Sequence, residues 1–381
     1  MTTPSGDTVS GLLREIADVG RDPVRGGYSR PVHSVAETEL REWFVAHATR
    51  RGLEVESDRN GIVWAWHAPD GRREGSVVTG SHLDSVPGGG AYDGPLGVAS
   101  ALVAFDRLAE RGVTARPRAI AVFPEEEGSR FGIACLGSRL LTGAIDPDRA
   151  RSLTDADGDT LADVAARAGL DPTGLGPDPR TLAGIDTFIE LHVEQGRGLV
   201  DLDRPVAVCS SILGHGRWRV SVEGEGNHAG TTLMADRRDP MVAAARLVVR
   251  IQELAARTAD ARATVGRLVP TPGGTNVIAS RVDLWLDVRH PDDATTHGLV
   301  EEIRQAADLC AAEEGCTARL TEESLSPTVD FDGALRDELA GALSAPLLST
   351  GAGHDAGVLA EHVRTAMLFV RNPTGVSHAP G

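Results

Sequence analysis

Four short apolar runs in this chain each lead into residues that bind metals or move protons, and that recurrence constrains the fold more than any average property does. Val77-Val78 lead to His82 and Asp84. Residues 118 to 123 lead to Glu125, Glu126 and Glu127, and residues 187 to 191 lead to His192, Glu194 and Gln195. Residues 365 to 370 are followed, after Asn372-Pro373-Thr374-Gly375, by His378. Short apolar runs bounded in this way read as buried strands of an α/β sheet. Open α/β sheets gather their ligands just beyond the carboxyl ends of parallel strands. The pattern therefore predicts an α/β domain with a mostly parallel central sheet and one site at its strand ends.

The first of these stretches, SHLDSVPGGGAYDGPLG from Ser81 to Gly97, reads as strand, loop and helix. His82 and Asp84 lie two apart. Asp93 follows nine residues after Asp84, behind three consecutive glycines that let the backbone fold a carboxylate back toward an imidazole. Such a loop can build half a metal site. Three adjacent acids at residues 125 to 127 repel one another at a strand end and would suit a solvated tip. A bound cation reverses that argument, because one carboxylate can then ligate while its neighbour takes a proton from an attacking water.

In chain order, residues 7 to 20 are helix-like, and Ser34-Val35-Ala36-Glu37 has capping-box form ahead of a helical pattern through about Arg51. Residues 53 to 67 read as a hairpin turning at Asn60-Gly61. Residues 98 to 108 have helical spacing that stops near Gly112. Residues 144 to about 185 are acidic and rich in Gly and Pro, with one helical piece at 160 to 168, and read as a surface connection without chemistry. From Ser211 the pattern changes: strand 217 to 223, helix 239 to 256, strand 263 to 269, strand 281 to 290, helix 298 to 312 and strand 317 to 321. This β-α-β-β-α-β order is that of a small layered α+β domain. It divides the chain into a catalytic domain at 1–210 and 327–381 and an inserted domain at 211–326.

Two five-residue stretches stand out in the insertion, Gly226-Asn227-His228-Ala229-Gly230 and Gly274-Thr275-Asn276-Val277-Ile278. Arg289 follows on a strand, with Trp285 and Asp287 on the same face. An imidazole, an amide and a guanidinium suit the gripping of a carboxylate and a polarised carbonyl.

Composition narrows the chemistry. The formal charge of the 381 residues is -17 and no basic run occurs, which disfavours nucleic acid and anionic membranes. The N-terminal residues lack a charged and apolar leader pattern, and no stretch approaches the ~18 apolar residues of a membrane span. The expectation is a soluble, cytoplasmic protein. Cys135, Cys209, Cys310 and Cys316 form no C-x-x-C pair, so neither a disulfide framework nor a thiolate metal site is indicated. All 38 basic residues counted as Lys or Arg are arginine. A pyridoxal Schiff base, a Walker A loop and a Ser-Lys dyad are thereby excluded.

The strings GSHLDSVPGGGAYDGPLGV, EEEGSRF, ELHVEQG, HAGTT with RRDP, GGTNVI, GAGHDA and GVSHAPG occur in this order from about residue 20 to the end. In that order and spacing the chain resembles the dinuclear-metal amidohydrolases that cleave ureido groups. These are allantoate amidohydrolases, N-carbamoyl-L-amino-acid hydrolases and β-ureidopropionases, with aminoacylases and carboxypeptidases as distant relatives.

The resemblance implies a metallopeptidase-like catalytic domain carrying an inserted dimerisation and lid domain, and two divalent metal ions per subunit, Mn2+ or Zn2+. His82, Asp93 and His192 would hold one ion, and Asp93, Glu127 and His378 the other. Asp84 would orient His82, and Glu126 would be the general base. His228 would come from the partner subunit of a homodimer to stabilise the oxyanion, while Gln195, Arg217, Asn276 and Arg289 would contact substrate. Two divalent cations against Asp93 and Glu127 leave the site net positive, which favours an anionic substrate. Allantoate, giving ureidoglycine, ammonia and CO2, is the first expectation, and N-carbamoyl-L-amino acids or a β-ureido acid are the alternative. A catalytically silent metal-binding homologue is the reading from another class, against which the intact Glu126 speaks. The chain departs from the resembled family at its end, three residues after His378, where those proteins continue with a glutamate and a further helix.

Overall fold

A computed structural model of the chain describes residues 7–113 and 115–380. Contacts divide it into two compact units, Met1–Ser210 with Asp330–Gly381, and Ser211–Val329. The return to the first unit thus falls at Asp330 rather than 327, because Thr328 is held by the Asp293 carboxylate of the insertion through its backbone N–H and its hydroxyl.

The strands before the insertion are β1 (Glu54–Ser57), β2 (Val63–His67), β3 (Ser76–His82), β4 (Arg118–Phe123), β5 (Ile185–Val193) and β6 (Val206–Ile212). Those of the insertion are β7 (Gly214–Glu223), β8 (Asn227–His228), β9 (Arg262–Thr271), β10 (Val277–Ile278), β11 (Arg281–His290) and β12 (Thr317–Ser326). Then follow β13 (Val329–Asp330), β14 (Leu347–Thr350) and β15 (Arg364–Val370). In the first unit they form one sheet in the order β1-β2-β4-β3-β5-β15-β6-β13, with β14 pairing β6. Its centre is parallel: β3 pairs β4 and β5 in parallel, and β15 pairs β5 in parallel. The outer pairs β1/β2, β2/β4 and β15/β6 are antiparallel. Every residue of β4 is buried, as expected of a strand covered on both faces. The carboxyl ends of β3, β4 and β5 therefore lie side by side, bringing His82, the acids after Phe123 and His192 to one edge.

Three helices precede or follow β3: α1 (Val9–Glu15), α2 (Val35–Arg50) and α3 (Pro95–Glu110). They share one apolar cluster with β2 and β4, built on Leu12, Leu40, Phe44, Leu102, Phe105, Ile120 and Val122. The first helix stops at Glu15, short of residue 20, and Arg30 donates to the carbonyls of Ile16 and Val19 just beyond its end. Only half of the capping box forms at α2. The Ser34 hydroxyl accepts the Glu37 N–H, but the Glu37 carboxylate turns to the His33 N–H and to Arg41. Helix α3 lies close on the sheet at Gly97, where a Cβ would sit 2.3 Å from the Leu191 carbonyl oxygen.

Residues 144 to 185 are more than a surface connection. They form helices Pro147–Arg151, Leu161–Arg167 and Pro179–Gly184. Their few apolar side chains, Ile145, Ala150, Leu161, Val164, Ala165 and Leu175, are buried against Val32, Phe131, Leu136 and Leu140. Those partners lie outside the segment, so its polar composition concealed the packing.

The second unit is an antiparallel sheet in the order β12-β7-β11-β9. Helices Pro240–Arg257 and Asp293–Glu313 pack on it, with Leu247, Ile251, Ile303 and Ala307 against Trp218, Val220, Val282 and Leu284. The second helix begins five residues before Gly298 because the Asp292 carboxylate caps it, accepting from the Thr295 N–H. Strand β12 runs on to Ser326 past a register shift between Glu322 and Ser324. Among the described residues no helix is long and apolar enough to cross a membrane.

Candidate metal centre

His82 ends β3 and is fully buried. Its Nδ1 lies 3.0 Å from the carbonyl oxygen of Asp84, and the Nδ1 of His192 lies 2.9 Å from the carbonyl oxygen of Val193. A carbonyl only accepts, so both rings carry their proton on Nδ1 and present a bare Nε2 when neutral. Those two Nε2 atoms face each other at 3.3 Å, which is lone pair against lone pair and not a hydrogen bond. Asp93 Oδ1 lies 3.2 Å from His192 Nε2. Gly94 makes this approach possible: its φ is +86°, and a Cβ there would lie 2.6 Å from the His82 ring.

The acidic loop after β4 is held from within. The buried Asp84 carboxylate accepts the backbone N–H groups of Glu126 and Glu127 at 3.2 and 3.1 Å. Asp84 therefore holds the His82 ring through its backbone carbonyl, with its carboxylate Oδ1 3.7 Å from the same Nδ1, while that side chain accepts from the two glutamates. Glu125 is structural, with its Oε1 accepting the Arg130 and Phe131 N–H groups at 2.8 and 2.6 Å. Glu127 Oε2 lies 3.4 Å and Asp93 Oδ2 3.6 Å from His378 Nε2. The segment carrying His378 is tied to the glycine loop by the Gly90 N–H, which donates to the Ser377 carbonyl at 2.8 Å. The His378 side chain is still 55% exposed, against 6% or less for Asp93 and Glu127.

Two ligand groups sharing Asp93 result: His82, Asp93 and His192, and Asp93, Glu127 and His378. Tetrahedral ligands about 2.1 Å from a cation sit roughly 3.4 Å from one another. The contacts of 3.2 to 3.6 Å match that edge length, and a cation would relieve the facing lone pairs of His82 and His192. The donor set fits divalent cations that accept nitrogen and oxygen ligands.

The electrostatics point the same way. Burial, then the neighbouring His192, lowers His82 to about 4 and keeps it neutral. Burial, then Asp93, raises Glu127 to about 9, and burial followed by Glu127 pushes Glu126 well above the carboxylate range. Carboxylates in this position need either protons or cations.

Gln195 reaches the same atoms, its Nε2 lying 3.2 Å from Asp93 Oδ2 and 3.2 Å from His378 Nε2. Glu126 Oε2 lies 3.6 Å from His82 Nε2, and its Oε1 lies 3.2 Å from His354 Nδ1, off the hydrogen-bond axis. His354 was missed. It is buried with its ring 4.5 Å from that of His192, and its signal was present in the GAGHDA string.

The remaining candidates belong to the second unit. Asn276 and His228 are neighbours, since β8 pairs β10 and the Ala229 N–H donates to the Asn276 carbonyl at 3.0 Å. The Nδ1 of His228 accepts the Gly230 N–H at 3.1 Å, which leaves Nε2 to carry the proton in the exposed ring. Arg289 grips Asp287 with Nε and Nη2 at 2.7 and 3.0 Å, and Arg217 Nε lies 3.9 Å from the same carboxylate. Any substrate carboxylate at Arg289 must share it with Asp287.

Comparison with known proteins shows the family. The family described as Peptidase family M20/M25/M40 matches residues 78–381. The chain belongs to that family. It is 36% identical to an N-carbamoyl-L-amino acid amidohydrolase of Geobacillus stearothermophilus, over 98% of this chain and 93% of the relative. It is 31% identical to the allantoate amidohydrolase of Escherichia coli strain K12, over 100% and 93%. The crystal structure of a hydantoinase/carbamoylase family amidase from Burkholderia multivorans superposes with a TM-score of 0.83 at 31% identity, covering 98% of this M20-family chain and 91% of the other. The resemblance drawn from the seven strings is thus borne out, as is the α/β fold with a parallel sheet centre.

Proposed function

We propose that this chain is an amidohydrolase that cleaves the carbamoyl C–N bond of a small ureido acid, with allantoate as the first substrate. The observation that carries the reading is the pair of candidate ligand groups sharing Asp93 beside a buried Glu126 whose Oε1 has no hydrogen-bond partner, in a chain matched almost end to end by relatives named for ureido substrates. His82, Asp93 and His192 would hold one divalent ion, and Asp93, Glu127 and His378 a second, manganese or zinc. Bound there, such ions polarise a carbonyl and acidify a water near neutral pH.

The chain's own residues supply the rest. Glu126 takes the proton of the attacking water on Oε2, the oxygen on the His82 side, and delivers it to the leaving nitrogen as the C–N bond breaks. Asp84 keeps that carboxylate in register through the two backbone N–H groups it accepts. Arg289, with Arg217 and Asn276, takes the substrate carboxylate, and Gln195 contacts the carbamoyl group. In a homodimer the partner subunit's His228 donates Nε2–H to the oxyanion. A second reading, N-carbamoyl-L-amino acids, is favoured by the higher identity to the Geobacillus stearothermophilus relative.

Metal-loaded protein offered allantoate, N-carbamoyl-L-amino acids and N-acyl amino acids side by side should release ammonia from a ureido acid and leave the acyl compounds largely uncut. Faster cleavage of the acyl compounds would make it a deacylase, and no turnover of any of them would make it a silent homologue.

A further inference from the structure

A cavity of about 340 Å³ opens between α1 and the turn at Ala91–Tyr92, and a buried guanidinium lines it. Arg30 is 1% exposed. Its Nε and Nη2 donate to the carbonyls of Val19 and Ile16 at 3.0 and 3.2 Å, and it stacks 4.0 Å from the centre of the Tyr28 ring. No carboxylate bonds it, and none lines the cavity among the described residues. A buried cation without a counter-ion is expensive, because neither a partner charge nor bulk water offsets its lost hydration. Burial, opposed by Tyr28 and helped by the nearby Arg21, lowers Arg30 to about 10, so the guanidinium stays charged at neutral pH.

The other polar groups suit the same guest. Arg14 lies at the exposed edge, its Nε engaged by the Ser10 carbonyl, and Ser10 and Tyr92 add hydroxyls to the wall. Both cations are arginine, whose planar fork matches the oxygens of a carboxylate or phosphate. The cavity is far too small for a polymer and large enough for a small organic acid.

The pocket is also built into the loop of the metal centre. Tyr28 and Gly89 exchange backbone hydrogen bonds at 2.9 and 2.8 Å, Arg30 N–H donates to the Ser85 hydroxyl at 3.0 Å, and the Ser85 N–H donates to the Arg30 carbonyl at 3.1 Å. Its wall residue Tyr92 precedes Asp93 directly. We propose that this cavity binds a small oxyanion, held by Arg30 inside and Arg14 at the edge, on the segment that carries Asp93. The inference rests on the cavity alone and not on the reading of the reaction.

Isothermal titration of the metal-loaded protein at constant ionic strength, with inorganic phosphate in one arm and acetate in the other, tests it. The tighter ligand identifies the source of the oxyanion. An oxyanion can also bind at the cations, so the comparison is between variants. Arg14→Glu, an exposed change that should leave the fold intact, should weaken one binding event about tenfold or more, and Arg30→Gln should remove that event. Turnover of ureido acid in phosphate-free buffer should be unaltered in Arg14→Glu. Isotherms of Arg14→Glu that superpose on those of the wild type, or the failure of both anions to bind the wild type, would overturn the proposal.

Discussion

Replacing Asp84 should loosen the loop that carries Glu126 and Glu127 while leaving His82 in place. The buried carboxylate accepts two backbone N–H groups at 3.2 and 3.1 Å, whereas the bond to His82 Nδ1 is made by the backbone carbonyl, which every substitution retains. In Asp84→Ala both amides lose their acceptor in a dry site, at about 1–3 kcal/mol each, or about 2–6 kcal/mol together. The upper figure approaches the whole stability of a domain. Asp84→Asn therefore carries the test: one oxygen still accepts, an NH2 group faces the second amide, and the expected loss is about half. Urea unfolding of metal-loaded protein would read the graded loss, Ala beyond Asn. Metal analysis should show the ion count falling from two toward one, because Glu127 moves and the His82, Asp93 and His192 group does not. Wild-type unfolding midpoints in both variants, or loss of both ions together, would refute the argument that the side chain serves the glutamates and not the imidazole.

Glu126→Gln should lower turnover by roughly 10² to 10⁴-fold with metal content intact, because Glu126 belongs to neither ligand group; near-normal turnover would remove it as the base. Chelation should abolish ureido-acid hydrolysis and added manganese or zinc restore it, so full activity in metal-stripped protein would dismiss the centre. Arg289→Lys should raise KM about tenfold or more, since a point charge cannot hold Asp287 and a substrate carboxylate together; an unchanged kcat/KM would move the carboxylate site toward Arg217. Glu126→Gln and His228→Ala homodimers should each be nearly inactive, yet reassembled mixtures should recover up to roughly a quarter of wild-type activity if the site is shared between subunits. No recovery in mixtures shown to contain heterodimers would reject the sharing.

The strand ends were legible because a buried parallel strand must be apolar throughout and a ligand site must not, so the change at His82, Glu125 and His192 marks both at once. The insertion was legible because its strands alternate where the central strands do not. Asp84 shows where sequence stops: the residue type suits either role, and only geometry tells whether the carbonyl or the carboxylate meets His82. His354 follows no comparable strand, since β14 before it is a four-residue strand, only partly buried, so its signal lay in the GAGHDA string alone and not in a strand end. Arg289 and Asp287 were placed on one face by their spacing, but a spacing of two does not reveal that the arginine fork is already engaged. Arg30 carries no signal of its own in the sequence, because its burial comes from Tyr28 and from carbonyls just beyond α1.

The charges around β3, β4 and β5 carry one more step. Asp84, Asp93, Glu126, Glu190 and Asp355 are buried within one unit, and the polar partners they show are backbone amides, Ser81, Ser138, Gln195 and imidazoles, in a chain with 38 arginines to spare. Had the acids served stability alone, guanidinium partners would have been the least costly solution, as Arg51 shows by pairing with Asp7 and Asp106 elsewhere in the same unit. His82 and His354 cannot take that part either, since burial lowers His82 to about 4 and takes His354 well below its ordinary value. Neutral nitrogens with their lone pairs turned inward, beside carboxylates left without fixed cations, form an arrangement that is unfavourable by itself and becomes favourable when divalent ions enter. Folding of the strand-end loops and loading of divalent ions would in that sense be one process, with Asp84 and the Gly94 turn holding the candidate ligands close together.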